Sequence, residues 1–261
     1  LPGVQTVGEG AAGFNVRGGN TDQNLILMDG APLFNSSHVF GFFSVFNPDI
    51  VNDFKLYKSG IPAKYGGRLS SVMDVSLKNG DLKKTGVSGG ISPIAARLSV
   101  DGPIIKEKAT FLISGRGSHS DWVLHNVDIP ALKNSTASFY DLNAKLNYAV
   151  DEKNELSFSS YYSKDHFKLN HDTLYNYRNL NAALTYKHVF STKIYGTLSG
   201  IYSGYGYSTE SKTMGLYSYH MDYNIKYKEA RTDITWFLNT NHKINAGANI
   251  IQYKIDPGNM R

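Results

Sequence analysis

Tyr140-Asp141-Leu142-Asn143-Ala144-Lys145-Leu146-Asn147-Tyr148-Ala149-Val150 alternates apolar and polar residues with a period of two. An extended strand built from it has one apolar and one polar face, because successive side chains point to opposite sides of a sheet. Tyr217, Tyr219, Met221, Tyr223, Ile225 and Tyr227 repeat the pattern against Ser218, His220, Asp222, Asn224, Lys226 and Lys228. Weaker versions span Thr110 to Ser118, Glu155 to Ser163, Asn179 to Phe190, Lys193 to Ser208, Thr232 to Asn239 and Lys243 to Tyr253, which predicts about eight to ten strands.

The connections fall into two kinds. Asp151-Glu152-Lys153-Asn154, Ser191-Thr192-Lys193 and Asn239-Thr240-Asn241-His242 are short polar turns, whereas Asp121 to Ala137 and Lys164 to Tyr177 read as long loops. That asymmetry suits a membrane barrel, as do tyrosines at both ends of a strand (Tyr140 and Tyr148, Tyr217 and Tyr227), where interfacial girdles place amphipathic rings. A soluble β-sandwich would also alternate, but its strands are usually about five or six residues long.

Composition points the same way. Charged residues are 19% of the 261, against roughly 25% in soluble domains, while the chain has 18 Tyr. Sixteen of those Tyr follow Gly80 and seven of the 13 Phe precede it, which places a boundary near residue 80. The net charge of +5 is spread without a block of like charges and gives no nucleic-acid signal. With no cysteine, disulfide scaffolds, thiol catalysis and Cys-based zinc sites are excluded. The longest stretch without Asp, Glu, Lys or Arg, Gly30 to Pro48, holds two Pro and two Gly and is no transmembrane helix. The opening Leu1-Pro2-Gly3-Val4 has neither a basic nor an apolar leader, so the chain reads as a fragment with any export signal upstream.

Before residue 80, Asn24 to Asp29, Val51 to Lys58 and Val72 to Leu77 read as short strands, with a turn at Asp29-Gly30-Ala31-Pro32 and a long aromatic loop from Leu33 to Asn47. Gly8-Glu9-Gly10-Ala11-Ala12-Gly13 fits G-x-G-x-x-G, but only seven residues precede it and an extended segment follows, so no helix N-terminus is there to meet a pyrophosphate. The eight His are scattered without metal-ligand spacing, and no nucleophile context appears, so the sequence predicts no metal, no cofactor and no enzyme. Asn35-Ser36-Ser37 and Asn134-Ser135-Thr136 are chance sequon matches.

Four phrases in fixed order resemble the plug domain of TonB-dependent outer-membrane receptors: Val16-Arg17-Gly18-Gly19, Leu27-Met28-Asp29-Gly30, Ile50 to Lys58-Ser59-Gly60, and Tyr65-Gly66-Gly67. The resemblance implies a mainly β chain, with a small mixed α/β plug over residues 1–80 and antiparallel strands of a partial transmembrane barrel over 81–261. It marks Arg17, Gly18, Gly19, Asp29, Gly30, Lys58, Gly60, Tyr65, Gly66 and Gly67 as plug-motif and gating residues. It implies a Gram-negative outer-membrane protein that moves a scarce ligand (siderophore, cobalamin, glycan or peptide class). The implied partners are the TonB-ExbB-ExbD complex, outer-membrane lipid, the extracellular ligand and a surface lipoprotein. A passive channel or a surface adhesin is the alternative.

Two departures matter. Lys55 stands where such receptors usually carry Glu, which removes the carboxylate of a plug-holding ion pair. Gly67-Arg68-Leu69-Ser70-Ser71-Val72-Met73-Asp74-Val75 resembles a Bacteroidetes-like subgroup. The position of the Leu33 to Phe46 loop in the family implies part of a ligand-facing surface, with Asn35 and His38 as polar contacts and Phe40, Phe42 and Phe43 as aromatic ones; the alternative is that these rings pack against the barrel wall. Arg17, if buried in a lumen, needs carboxylate or carbonyl partners, and the motif glycines are expected to supply positive φ or close backbone approach.

Overall fold

The structure, a computed structural model, describes residues 2–6, 13–119, 121–126, 128, 133–169, 173–211 and 218–258, without the side chains of Phe40 and Leu169. Most of Gly8–Gly13, and Tyr217 at the head of the second alternating run, lie outside the described residues. No described helix is long and apolar enough to cross a membrane.

The chain begins with a two-stranded pair, β1 (Val4–Thr6) with β2 (Phe14–Val16), and then builds a four-stranded sheet. That sheet has β3 (Asn24–Met28) inside, parallel to β8 (Ser71–Leu77) and antiparallel to β4 (Ala31–Pro32), with β7 (Val51–Tyr57) on the outer edge. Asn24-Leu25-Ile26-Leu27-Met28 can occupy the middle because it is apolar on both faces. Among the described residues here, helical content is limited to two 3-10 turns, Thr21–Gln23 and Val39–Gly41. The aromatic loop is not wholly irregular: β5 (Ser37–His38) and β6 (Phe43–Ser44) pair within it.

A nine-stranded antiparallel wall follows, each strand paired with its neighbour in sequence. It comprises β9 (Gly86–Ile91), β10 (Ala95–Ile105), β11 (Ala109–Ser118), β12 (Thr136–Ala149), β13 (Asn154–Leu169), β14 (Thr173–Ser191), β15 (Ile194–Ser211), β16 (Tyr219–Phe237) and β17 (Lys243–Asp256); a short helix, α1 (Asp121–Asn126), precedes β12. The strand count falls within the expected range for different reasons. β9 and β10 were not legible, since Gly89, Gly90 and Pro103 break their patterns, and the runs Tyr217 to Tyr227 and Thr232 to Asn239 fuse into one strand of 19 residues. The long loop expected from Lys164 to Tyr177 is instead mostly strand, because β13 and β14 stay paired as far as Leu169 and Thr173.

On β12 the apolar positions Tyr140, Leu142, Leu146 and Tyr148 are exposed on the outside, and Asp141, Asn143 and Lys145 are buried against the N-terminal sheet. On β16 the same alternation is reversed: Tyr227 is 5% exposed and faces inward, while Ile234 and Trp236 face out. The girdle reading therefore fails for Tyr227. About 9–11 residues suffice to cross a bilayer, so strands of 18 or 19 residues have a length left over in which the inner face can be aromatic.

The core is shared between the two sheets. Ile26, Met28, Leu33, Val45, Ile50 and Leu77 of the first pack with Leu112 and Tyr161 of the wall.

Candidate functional site

The N-terminal sheet meets the polar inner face of the wall along two flanks. On the β10–β13 flank the contacts are charged. His38 is fully buried, its Nδ1 2.8 Å from Asp165 on β13 and its Nε2 3.2 Å from Asp141 on β12. Its ring stacks on Phe139 at 4.2 Å, with the planes 6° apart. Arg116 on β11 donates to Asp141 through Nε (2.8 Å) and a terminal nitrogen (2.6 Å), and to the Ser44 carbonyl at 2.7 Å. The Val39 amide donates to the second Asp165 oxygen at 2.9 Å, and Tyr161 places its hydroxyl 3.3 Å from His38 Nε2. Further along this flank, Asn47 donates to Ser114 (2.7 Å) and Arg97 to Asp49 (2.7 Å). Burial opposes the charge on His38, but hydrogen bonds and charge from Asp141 and Asp165 outweigh it and raise the pKa above the usual histidine value.

On the β14–β16 flank the contacts are small and apolar. Ala31 packs with Ala183, Ile201 and Tyr227, and Phe34 covers them. Asn181 donates to the Pro32 carbonyl at 2.6 Å. The Asp29-Gly30 turn that carries Ala31 has φ 47° and 82°, the two positive values that a two-residue hairpin of this hand requires, which explains an Asp-Gly pair there. Asp29 accepts from the Leu77 amide (3.0 Å) and, toward the β10–β13 flank, from Lys145 Nζ on β12 (3.2 Å).

The expected motif residues divide into three groups: those of one surface cleft, Asp29 and Gly30 with Tyr65 beside the wall, and Gly66 and Gly67 beside a cavity that Leu33 and Phe34 also line. Arg17, Gly18, Gly19, Lys58 and Gly60 line one surface cleft, so the first and third phrases meet in space. A Cβ on Gly19 would run into Ser70, whose hydroxyl donates to the Val16 carbonyl at 2.6 Å. Gly66 needs neither positive φ nor close approach. Arg17 is exposed rather than buried, since it sits at the tip of a turn after β2 and not on the face packed against the wall. Lys58 donates to the Pro2 carbonyl at 2.8 Å. Tyr65 donates to Asp74 at 2.6 Å, and burial and that carboxylate raise its pKa. Asp29 and Gly30 lie apart, at the wall. Lys55 is exposed and in register with Asp74, away from the wall.

The aromatic loop divides too. Asn35 lines a cavity of about 460 Å³ with Leu33, Phe34, Tyr205, Ile225 and Tyr253. Phe42 is 72% exposed, and Phe43 packs on Phe139 at 5.0 Å. His38 is not on any open surface, because both ring nitrogens are taken by wall carboxylates. The Phe40 side chain lies outside the described residues. Sequence reading missed Arg116, Asp141, Lys145, Asp165 and Asn181; the signal open to it was a charge at an inward position of a strand whose other face is apolar.

Residues 1–71 match the family model of the TonB-dependent Receptor Plug Domain. No curated protein sequence matches the chain. Among solved structures, the chain is similar to the copper transporter OprC (TM-score 0.73, 11% identity, 97% of this chain and 42% of that one). It is also similar to the ferric citrate transporter FecA in its unliganded form (0.73, 17%, 96% and 43%) and to BauA, the ferric preacinetobactin receptor from Acinetobacter baumannii (0.64, 13%, 97% and 42%). The chain thus spans less than half the length of these proteins. Residues 1–71 thus match a TonB-dependent receptor plug, and the chain as a whole has the fold of a plug seated on part of a barrel wall.

Proposed function

We propose that this chain is the plug, running to about residue 80, and part of the barrel of a TonB-dependent outer-membrane transporter of a Gram-negative bacterium. The observation that supports it most is a mixed sheet seated on the polar face of a strand wall whose other face exposes Leu142, Leu146, Leu184, Leu198 and Trp236. That arrangement suits a lipid-facing exterior and a filled lumen. The TonB-ExbB-ExbD complex supplies the mechanical work, and no chemistry is done on the ligand.

Asn35 and Phe42 contribute to the ligand-facing surface with the cavity beside Tyr205 and Tyr253, and Arg17, Gly18, Gly19, Lys58 and Gly60 form a motif cluster that responds when the plug moves. The ligand is a bulky, scarce molecule of the siderophore, cobalamin, glycan or peptide class; proteins of similar fold include a copper transporter, a ferric citrate transporter and a ferric preacinetobactin receptor. The Gly67 to Val75 phrase supports a Bacteroidetes-like receptor with a surface lipoprotein partner.

The test uses the full-length protein. A heat-modifiable outer-membrane species that cross-links to TonB, and is electrically silent at rest in a planar bilayer, is the expected result. A steady conductance without TonB contact would establish a passive channel instead, and a soluble species would overturn the membrane reading altogether.

A further inference from the structure

Two cavities lie between the N-terminal sheet and the wall, one on each side of the Asp29–Pro32 hairpin. The first, about 460 Å³, is lined by Pro32, Leu33, Phe34, Tyr205, Ile225 and Tyr253. The second, about 300 Å³, is lined by Asp29, Gly30, Lys64, Lys145, Thr185 and Arg231. Strand register fixes their levels. Tyr205 pairs with Ile225 at the level of the first cavity, and Thr185, Ser199 and Arg231 are in register at the level of the second. Between them come two inward-facing levels, Asn181 with Ser203 and Tyr227, then Ala183 with Ile201 and the buried Glu229, whose carboxylate is held within the wall by Arg231 and Tyr227.

Those intervening levels are where Ala31 packs and where Asn181 holds the Pro32 carbonyl. The barrier between the cavities is therefore a strand of two residues, two alanine methyls, an isoleucine, a tyrosine and one side-chain hydrogen bond to the wall. Lys145 with Asp29 is the ion pair at its foot. On the β10–β13 flank, by contrast, the plug is fastened by His38, Asn47, Asp49 and the Ser44 carbonyl to charged or polar wall partners at 2.7–3.2 Å. Charge-assisted bonds in a buried site resist separation more than contacts between small apolar groups.

We infer that the Asp29–Pro32 hairpin is the gate of the transporter, that the passage opens between it and β14–β16, and that the β10–β13 flank is the side on which the plug stays attached. The inference rests on the transporter reading above and specifies where the work done on the plug takes effect. A ligand leaving the aromatic cavity enters a second one lined by Lys64, Lys145, Arg231, Asp29 and Asp74, so it exchanges ring contacts for charged ones as it crosses.

The order in which the two flanks open can be read without knowing the ligand. Residues 1–261 contain no cysteine, so the full-length receptor, freed of any cysteine elsewhere, takes single reporters at Thr185→Cys on the gate side and Ser114→Cys on the attached side. Each is labelled in detergent with a maleimide dye over a urea series that leaves the barrel folded, as judged by heat-modifiability. Thr185→Cys is expected to react at a lower urea concentration than Ser114→Cys, and Asn181→Ala is expected to lower the Thr185→Cys threshold alone. Ser199→Cys, on β15 in register with Thr185, replaces Thr185→Cys if that variant does not assemble. Labelling at Ser114→Cys first, or at both sites together, on an intact barrel overturns the gate. Absence of any heat-modifiable barrel overturns the transporter reading instead.

Discussion

The two flanks of the plug are held by different physics. On the β10–β13 side a loop of the plug inserts a buried imidazole between two aspartates that belong to neighbouring strands, and Arg116 completes the set from a third strand. On the β14–β16 side the hairpin leans on alanine, isoleucine and tyrosine through contacts that carry no charge. Removing one partner of the first kind of contact is costly because the other is left buried with its charge uncompensated, whereas truncation in the second loses only a modest apolar area. Toward β10–β16 the plug thus has a charged and an uncharged side, and in the gate inferred above a pull on it is resolved at the uncharged one.

The largest expected effect is a test of the charged side. His38→Ala leaves Asp165 buried without its cation, while Asp141 keeps Arg116, and removal of one partner of a buried ion pair costs ~3–5 kcal/mol. The urea threshold for Ser114→Cys labelling should fall sharply, and the Thr185→Cys threshold should move much less. If both fall by the same amount, the flanks are not independent and the comparison fails.

On the uncharged side, Ala31 is 2% exposed, and a leucine there has no room between Ala183 and Tyr227. Overpacking of this kind costs ~1–3 kcal/mol. Ala31→Leu should therefore let the hairpin ride away from the wall, visible as increased labelling of Thr185→Cys without urea and as a measurable conductance in a planar bilayer. An unchanged, silent protein would show that the seam is looser than the packing implies.

A third expectation concerns pH. The groups facing His38 are Asp165 and Tyr161 from β13, Asp141 from β12 and Arg116 from β11. Because the folded pKa of His38 is raised, its contribution is complete below the unfolded histidine value of about 6.5 and is lost as pH rises through the folded value. The Ser114→Cys threshold should thus decline toward alkaline pH. The effect should be smaller than that of His38→Ala, since the neutral ring keeps its stacking on Phe139 and one hydrogen bond. His38→Gln should flatten the profile; a slope that survives in that variant would assign the pH dependence to another group.

The same contrast governs what could be read from the sequence. Alternation at Tyr140–Val150 located a strand, and the ordered glycine phrases located the plug, because both are local patterns with a backbone cause. Alternation cannot say which face meets lipid. β12 turns its apolar face outward and β16 turns Tyr227 inward, and only the register of the sheet against the plug decides between them. The charged flank was hidden for a related reason. Asp141 looked like one polar position in a half-polar strand, and its partners His38 and Arg116 lie far away in the chain, so the cluster exists only once the wall has curved around the loop. The expectation that His38 meets ligand followed from where the loop sits in the family, but two aspartates had already claimed the ring.

The smallest expected effect is the most specific. Asn181 donates both to the Pro32 carbonyl and to Ser203, at 2.6 and 2.8 Å, so one amide ties the hairpin and the adjacent strand. Asn181→Ala leaves the Pro32 carbonyl without that donor but empties little volume, and a single hydrogen bond of this kind contributes ~0.5–1.5 kcal/mol. Asn181→Asp is the sharper variant, because it keeps the shape and the Ser203 contact while setting a carboxylate oxygen against the Pro32 carbonyl oxygen. If the hairpin is the moving part, Asn181→Asp must open the Thr185→Cys site more than Asn181→Ala does, with the Ser114→Cys site unmoved in both. Equal effects would mean that the bond to Pro32 bears none of the load, and that Ala31 and Tyr227 alone keep the seam shut.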